Sequence, residues 1–374
     1  MRAGPEFAKL QVNRGRENPL RQTGDNNMKK IARAALLAAA VVGIASSASH
    51  EARAQASRET LKTVQGRGVL NCGIGTGLAG FGIADASGTW RGMNIEFCQA
   101  VAAAVLKDAG KVKFVSLSSK DRFTALQTGE SDFIAATTTW TMSRDTQLGL
   151  NFRPVYYYDG QGFMVKKATG IKSAKDLSGA SICIQQGSTP ELNTADYFRK
   201  NNMKFEPVTF ATNNEATEAY ESGRCDAFTT DASGLYSERM RFKSPADHIV
   251  LPETISKEPL GYVTRHGDDQ WFDIVTWVHF AQVTAEELGV TQANVDELRA
   301  KSDNPEIKRL LGKEGTFGEA LGLKNDWAYN AIKAAGNYGE MFERNLGEKS
   351  LLKIARGQNA LWSNGGLQYA APIR

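Results

Sequence analysis

The run Thr137-Thr138-Thr139-Trp140-Thr141-Met142-Ser143-Arg144-Asp145 follows the apolar, strand-like segment Asp132-Phe133-Ile134-Ala135-Ala136 and sets small hydroxyl side chains beside a single guanidinium. Threonine hydroxyls and the N–H groups of a turn can donate to one small anion, and a planar guanidinium meets the same group with two parallel hydrogen bonds. The bland alternative is a β-branched strand followed by a surface arginine. A second stretch, Gln186-Gly187-Ser188-Thr189-Pro190-Glu191, puts hydroxyl residues ahead of a proline at a first helical turn. That is a natural N-cap with free N–H groups, where an anion sits well, although a plain capping box would account for it too. Asp231 ends the buried strand Cys225-Asp226-Ala227-Phe228-Thr229-Thr230-Asp231, where an unpaired carboxylate is costly unless it caps the following turn. The sequence thus sets one cation and one anion-favouring helix start against one carboxylate that is costly to leave unpaired.

Other chemistries fit less well. Gly75, Gly77 and Gly80 spell G-x-G-x-x-G after a strand, but the segment from Phe81 to Gly88 is turn-rich and opens no helix to face a pyrophosphate. His248, His266 and His279 are scattered and give neither a catalytic triad nor metal spacing, so neither a metal nor a cofactor is expected.

The elements that must position these residues alternate between strand and helix patterns, as in α/β units. Strands are expected at 68–74, 111–117, 132–136, 152–158, 162–166, 181–185, 205–210, 225–231, 249–255 and 260–264. Helices are expected at 94–106, from Arg122, from Thr189 to about Asn201, and at 214–222. From Gln270 onward the pattern is almost wholly helical, with 271–288, 294–302, 305–311 and a continuous 327–346. About 318 residues beyond residue 56 exceed one comfortable core, so two lobes are expected. The chain divides into a first part of lobe 1 at 57–163, lobe 2 at 164–259, and a return to lobe 1 with a helical C-terminal region at 260–374.

Met28-Lys29-Lys30-Ile31-Ala32-Arg33, the apolar run from Ala34 to Ala45 and Ala54-Gln55-Ala56 read as a secretory signal peptide over 28–56, cleaved after Ala56, with 1–27 an upstream extension outside the fold. The whole chain has 45 Lys/Arg and 41 Asp/Glu. Nine and four of these fall within residues 1–56, leaving 36 against 37, a net charge of −1. The basic balance belongs to the leader, and no footprint for nucleic acid remains. Four cysteines in an exported chain favour two disulfides among three connectivities. Cys72 with Cys98 and Cys183 with Cys225 keeps each bridge inside one lobe and any hinge free.

From about Glu59 onward the chain resembles the periplasmic general L-amino-acid-binding proteins of ABC importers. The resemblance rests on Gly77-Leu78-Ala79-Gly80-Phe81, Thr138-Thr139-Trp140-Thr141, Ser143-Arg144-Asp145, Tyr157-Tyr158-Asp159-Gly160-Gln161-Gly162-Phe163, Thr229-Thr230-Asp231, Asn325-Asp326-Trp327-Ala328-Tyr329 and Gly365-Gly366-Leu367-Gln368-Tyr369. It implies a type II-like, two-lobe periplasmic binding protein, each lobe a mixed sheet flanked by helices, with a two-strand hinge and a helical C-terminal extension. It also implies that Arg144, Thr139 and Thr141 clamp an α-carboxylate with help from Ser188 and Thr189. Asp231 would meet the α-ammonium, and Phe123, Leu78 and Phe81 would lie against the ligand. The implied function is delivery of L-amino acids to a membrane permease by a monomer, not catalysis. A dehydratase-like enzyme on the same fold and a sensor are the rival classes. Leu78 stands where many relatives place an aromatic ring, and Gly75 where cation-selective relatives carry an acid. The side-chain subsite is therefore expected to be uncharged and permissive.

Overall fold

The structure is a computed structural model and describes residues 59–374; the expected extension, signal peptide and cleavage after Ala56 lie outside the described residues. In chain order the strands are β1 Leu70–Gly75, β2 Ile83–Ala84, β3 Trp90–Arg91, β4 Val112–Leu117, β5 Phe133–Thr139, β6 Leu150–Asn151 and β7 Val155–Asp159. They continue with β8 Gln161–Lys166, β9 Ser181–Gln185, β10 Glu206–Phe210, β11 Ala227–Asp231, β12 His248–Val250 and β13 Glu258–Arg265. One sheet has the order β4-β1-β5-β13-β6, with β7 also on β13; a second has β10-β9-β11-β8-β12; β2 and β3 form a small hairpin. In each large sheet the first three strands are mutually parallel and the crossing strand is antiparallel to them. Such mixed sheets gather the carboxyl ends of their parallel strands at one edge, where ligands of open α/β sheets bind.

The first sheet packs beneath a helical layer. Met93–Leu106 contacts Asp269–Glu287 and Trp327–Ala335, and the apolar faces of all three share one core with β1, β5 and β13. The second sheet has a separate core on each face. Cys72 of β1 is bonded to Cys98 of the helix Met93–Leu106, with Cα atoms 6.1 Å apart. Cys183 of β9 is bonded to Cys225, at 5.7 Å. Both pairings are the expected ones, and each ties a strand to an element of its own sheet layer.

Two expectations change. The helix expected over 327–346 is two helices, Trp327–Ala335 and Tyr338–Asn345. Gly336 takes φ 84°, and Asn337 then forms a capping box in which its side chain accepts from Glu340 N–H and the Glu340 carboxylate accepts from Asn337 N–H. These local bonds satisfy the new helix start better than a continuous ladder would. The chain also crosses between sheets at Gly160, ahead of the division drawn at 163/164, because β8 belongs whole to the second sheet. It returns ahead of Glu258, where β13 begins. A Cβ on Gly160 would come within 2.2 Å of Thr254 Cγ2, so the two crossing segments are packed too closely for any side chain there.

Candidate ligand-binding site

Both anion-favouring stretches and Asp231 sit at strand ends that face the crossing. Thr139 is the last residue of β5, and the chain then turns through an irregular helical turn, Ser143–Gln147. That turn folds Arg144 back under the strand, where its Nη1 donates to the Thr139 carbonyl at 2.9 Å and the side chain is buried. The turn is braced by Trp140 Nε1 donating to Asp145 at 2.7 Å. Thr141 serves the turn as well: its Oγ1 accepts from Arg144 N–H at 3.3 Å. Upstream, Thr137 is a β-branched residue held at φ 43°, and its N–H donates to Tyr156 Oη at 3.1 Å. Strained backbone of this kind persists only where its surroundings fix it.

From the second sheet, β9 delivers the helix Thr189–Lys200. Ser188 occupies the N-cap with extended backbone, but no side chain caps the helix, because the Ser188 hydroxyl donates back to the Gln185 carbonyl at 2.6 Å. The first-turn N–H groups are thereby left for something else. Thr189 Oγ1 lies 3.2 Å from Thr139 Oγ1, so the two lobes meet through their hydroxyls.

Asp231 ends β11 opposite Gln161, and Glu258 begins β13 opposite Asp159. Three carboxylates therefore gather where the chain crosses. Among the described residues none donates a hydrogen bond to the Asp231 carboxylate. Burial pushes its carboxyl well above the usual carboxylate range, Asp159 and Glu258 push it further, and Arg122 and Arg144 hold it back. Burial also pushes Asp159 up, to about 6, against hydrogen bonds from Ser233 and Gly160. Burial likewise depresses both guanidiniums, Arg122 to about 9 with repulsion from Arg144 second.

Phe123 joins the two cations. Its ring centroid is 5.1 Å from the Arg122 guanidinium carbon and 5.2 Å from that of Arg144, within cation–π range. Between the lobes remains a cavity of about 60 Å³, whose lining includes Leu78, Ser119, Arg122, Thr137, Gln185 and Asn213. That is room for a few waters rather than an amino acid, so a ligand enters only after the lobes part. Arg122 corrects one expectation: Leu78 lines the cavity, yet the space beside it carries a charge. Phe81 is buried in the first core, edge-on to Tyr157 at 5.3 Å, because the β2–β3 hairpin folds it inward. A larger groove of about 660 Å³ on the second lobe is bordered by Lys166, Glu221, Lys243 and His248. There Lys166 Nζ already donates to the Glu221 carbonyl and Lys243 N–H to the Glu221 carboxylate, so its polar groups do not converge on a ligand.

The model for bacterial extracellular solute-binding proteins, family 3, matches residues 70–348. The chain belongs to this family. Within it, the chain is 56% identical over 349 residues to the general L-amino acid-binding periplasmic protein AapJ of Rhizobium johnstonii, covering 93% of this chain and 100% of that one. It is 54% identical over 319 residues to the glutamate/glutamine/aspartate/asparagine-binding protein BztA of Rhodobacter capsulatus, covering 85% and 94%. A solved periplasmic binding protein from Brucella ovis with glutathione bound superposes with a TM-score of 0.82 at 56% identity, covering 84% of this chain and 99% of that chain. These relatives of the family are solute-binding transport proteins. Among the described residues no helix is long and apolar enough to cross a membrane.

Three residues of the site were not singled out from sequence. Arg122 opens a short helix and has the pattern of a solvent-facing charge. Asp159 lay inside a matched stretch without a role of its own, and Glu258 carries no local motif. Only Asp159, next to the glycine at a lobe crossing, offered a usable signal.

Proposed function

We propose that this family 3 solute-binding protein captures L-amino acids in the cleft between its two lobes and presents them to the permease of an ABC importer. The observation that carries the reading is the pairing of Arg144 and Asp231. They come from different lobes, Arg144 buried in the turn after β5 and Asp231 half-buried at the end of β11, and each lies close enough to shift the other's ionisation. A zwitterion would satisfy both: its carboxylate on the guanidinium and the open N–H groups at Thr189, its ammonium on Asp231. The relatives, a general L-amino acid-binding protein and a glutamate/glutamine/aspartate/asparagine-binding protein, support the same ligand class. Arg122 in the cavity wall favours side chains that end in a carboxylate or carboxamide, and leaves room for apolar ones beside Leu78.

Export through a signal peptide over 28–56, and work in the periplasm, belong to the same reading and are supported by the leader pattern and by the periplasmic relatives. Transport rather than catalysis is the better reading, since the described histidines stand away from the cavity. His279 is buried against Gln368 and pushed down to about 4, His248 is bonded to Tyr220, and His266 lies 3.7 Å from Asp145 on the outer side of the turn.

The test is calorimetry on refolded protein freed of co-purified ligand, with a panel of L-amino acids, their decarboxylated amines and their N-acetyl derivatives. Binding of several amino acids, with rejection of compounds lacking either backbone charge, is expected. An amine that binds as well as its parent acid removes Arg144 from the clamp; prephenate or arogenate turned over by the pure protein removes the transport reading.

A further inference from the structure

The Glu258 carboxylate is 1% exposed and takes four hydrogen bonds. Its Oε2 accepts from Thr139 Oγ1 at 2.6 Å and from Thr189 Oγ1 at 2.8 Å. Its Oε1 accepts from Asn193 Nδ2 at 2.7 Å and from Ser256 Oγ. These donors do not belong to one lobe. Thr139 ends a strand of the first sheet, Thr189 and Asn193 lie on successive turns of a second-lobe helix, and Glu258 itself stands on the returning segment.

We propose that Glu258 is a positioning residue that latches the two lobes together: one carboxylate on the crossing strand, shared by side chains of both lobes, that draws the cleft towards its closed form and aims the Thr139 and Thr189 hydroxyls. A carboxylate is acceptor-only, with about four lone-pair sites, and here four donors fill them. Parting the lobes takes either Thr139 or the Thr189–Asn193 pair away from it, so the arrangement exists only in the closed form and biases the equilibrium towards it. The hydroxyl protons of Thr139 and Thr189 are committed to Glu258, so the two oxygens present lone pairs to their other neighbours. Glu258 thereby makes this pair an acceptor site, suited to an ammonium or amide N–H. The ligand's carboxylate is left to Arg144 and the helix N–H groups.

The latch rests on the two-lobe cleft and not on which amino acid binds, and the experiment separates the two. Small-angle scattering would compare the ligand-free wild type with Glu258→Gln and Asn193→Ala, before and after saturating L-glutamate. A glutamine replaces one acceptor oxygen with an amide NH2, so the two bonds at Oε2 survive only with both threonine protons turned round, and all four lose the charge that strengthens them. Glu258→Gln should show a larger ligand-free radius of gyration than wild type, and Asn193→Ala a smaller increase in the same direction. Saturating ligand should return both to the wild-type closed profile, with apparent affinity reduced about tenfold or more as the closed fraction falls. The two substitutions together should open the protein little more than Glu258→Gln alone. Ligand-free profiles of both variants that match wild type overturn the latch. If the radii shift as expected but wild type binds no amino acid, the latch stands and the proposed ligand fails.

Discussion

Asp231→Asn separates the cost of a buried charge from its use. The substitution keeps the shape of the side chain and removes a carboxylate that no described residue donates to and whose ionisation burial, Asp159 and Glu258 all oppose. Without ligand, relieving that charge should stabilise the fold by about 1–3 kcal/mol, the cost of a poorly compensated buried polar group. At roughly 2 °C per kcal/mol for a chain of this size, the ligand-free melting temperature should rise by about 2–6 °C. With ligand the sign reverses. An ammonium buried against an amide in place of a carboxylate should forfeit about 3–5 kcal/mol, a loss of roughly a hundred- to several-thousand-fold in affinity. Differential scanning calorimetry on stripped protein reads the first quantity and titration calorimetry the second. A variant that melts lower than wild type without ligand, yet binds amino acids as tightly, would refute the assignment of Asp231 to the ammonium.

Protonation should track the same cluster. Asp159 is raised to about 6 and Asp231 well above its ordinary value, so the ligand-free fold holds their contribution to stability below about pH 4 and loses it as pH rises through about 6. A bound ammonium favours the ionised forms, so binding should release protons and strengthen from pH 5 to 7; titration heats at pH 6 that are independent of buffer ionisation enthalpy would contradict this. The disulfides close loops with separations of 26 and 42 residues, for which chain entropy gives about 3.5 and about 4 kcal/mol. Replacing both cysteines of either pair by alanine should lower the denaturant midpoint accordingly, and an unchanged midpoint would rule the bridge out as a stabiliser. Gly160→Ala places a methyl group 2.2 Å from Thr254 Cγ2 and should force the crossing segments apart, seen as a larger ligand-free radius of gyration and weaker binding; a variant that scatters and binds like wild type would show that the crossing has slack.

The parts of this molecule legible in its sequence are those encoded by neighbours along the chain. The hydroxyl run before Arg144, the hydroxyl pair before Pro190 and the acid ending the strand at Asp231 each announce a strand end or a helix start, and in the structure these ends lie near the crossing between the two sheets. The break at Gly336 was missed because apolar spacing continues through it, while the capping box between Asn337 and Glu340 is a three-residue signal easily hidden in a helical pattern. Arg122 and Glu258 were invisible for a different reason. A buried arginine or glutamate looks like a surface one until its partners are known, and theirs come from elsewhere in the chain: Ala136 and Thr138 for Arg122, Thr139, Thr189 and Asn193 for Glu258. Phe81 shows the converse, since a matched motif does not say which way a hairpin turns its ring.

Phe123 bears on how such a site can change over generations. Its one ring supports both guanidiniums, Arg122 at 5.1 Å and Arg144 at 5.2 Å. In the proposed binding mode, the cation beside the ligand's variable end thus shares a platform with the cation beside its invariant end. Replacing the ring, or moving the short helix that carries it, to retune the variable end also disturbs the invariant one. Drift in ligand preference is therefore channelled to wall positions that leave the platform alone, such as Leu78, Ser119 and Asn213, and the ring is fixed by the two charges it serves.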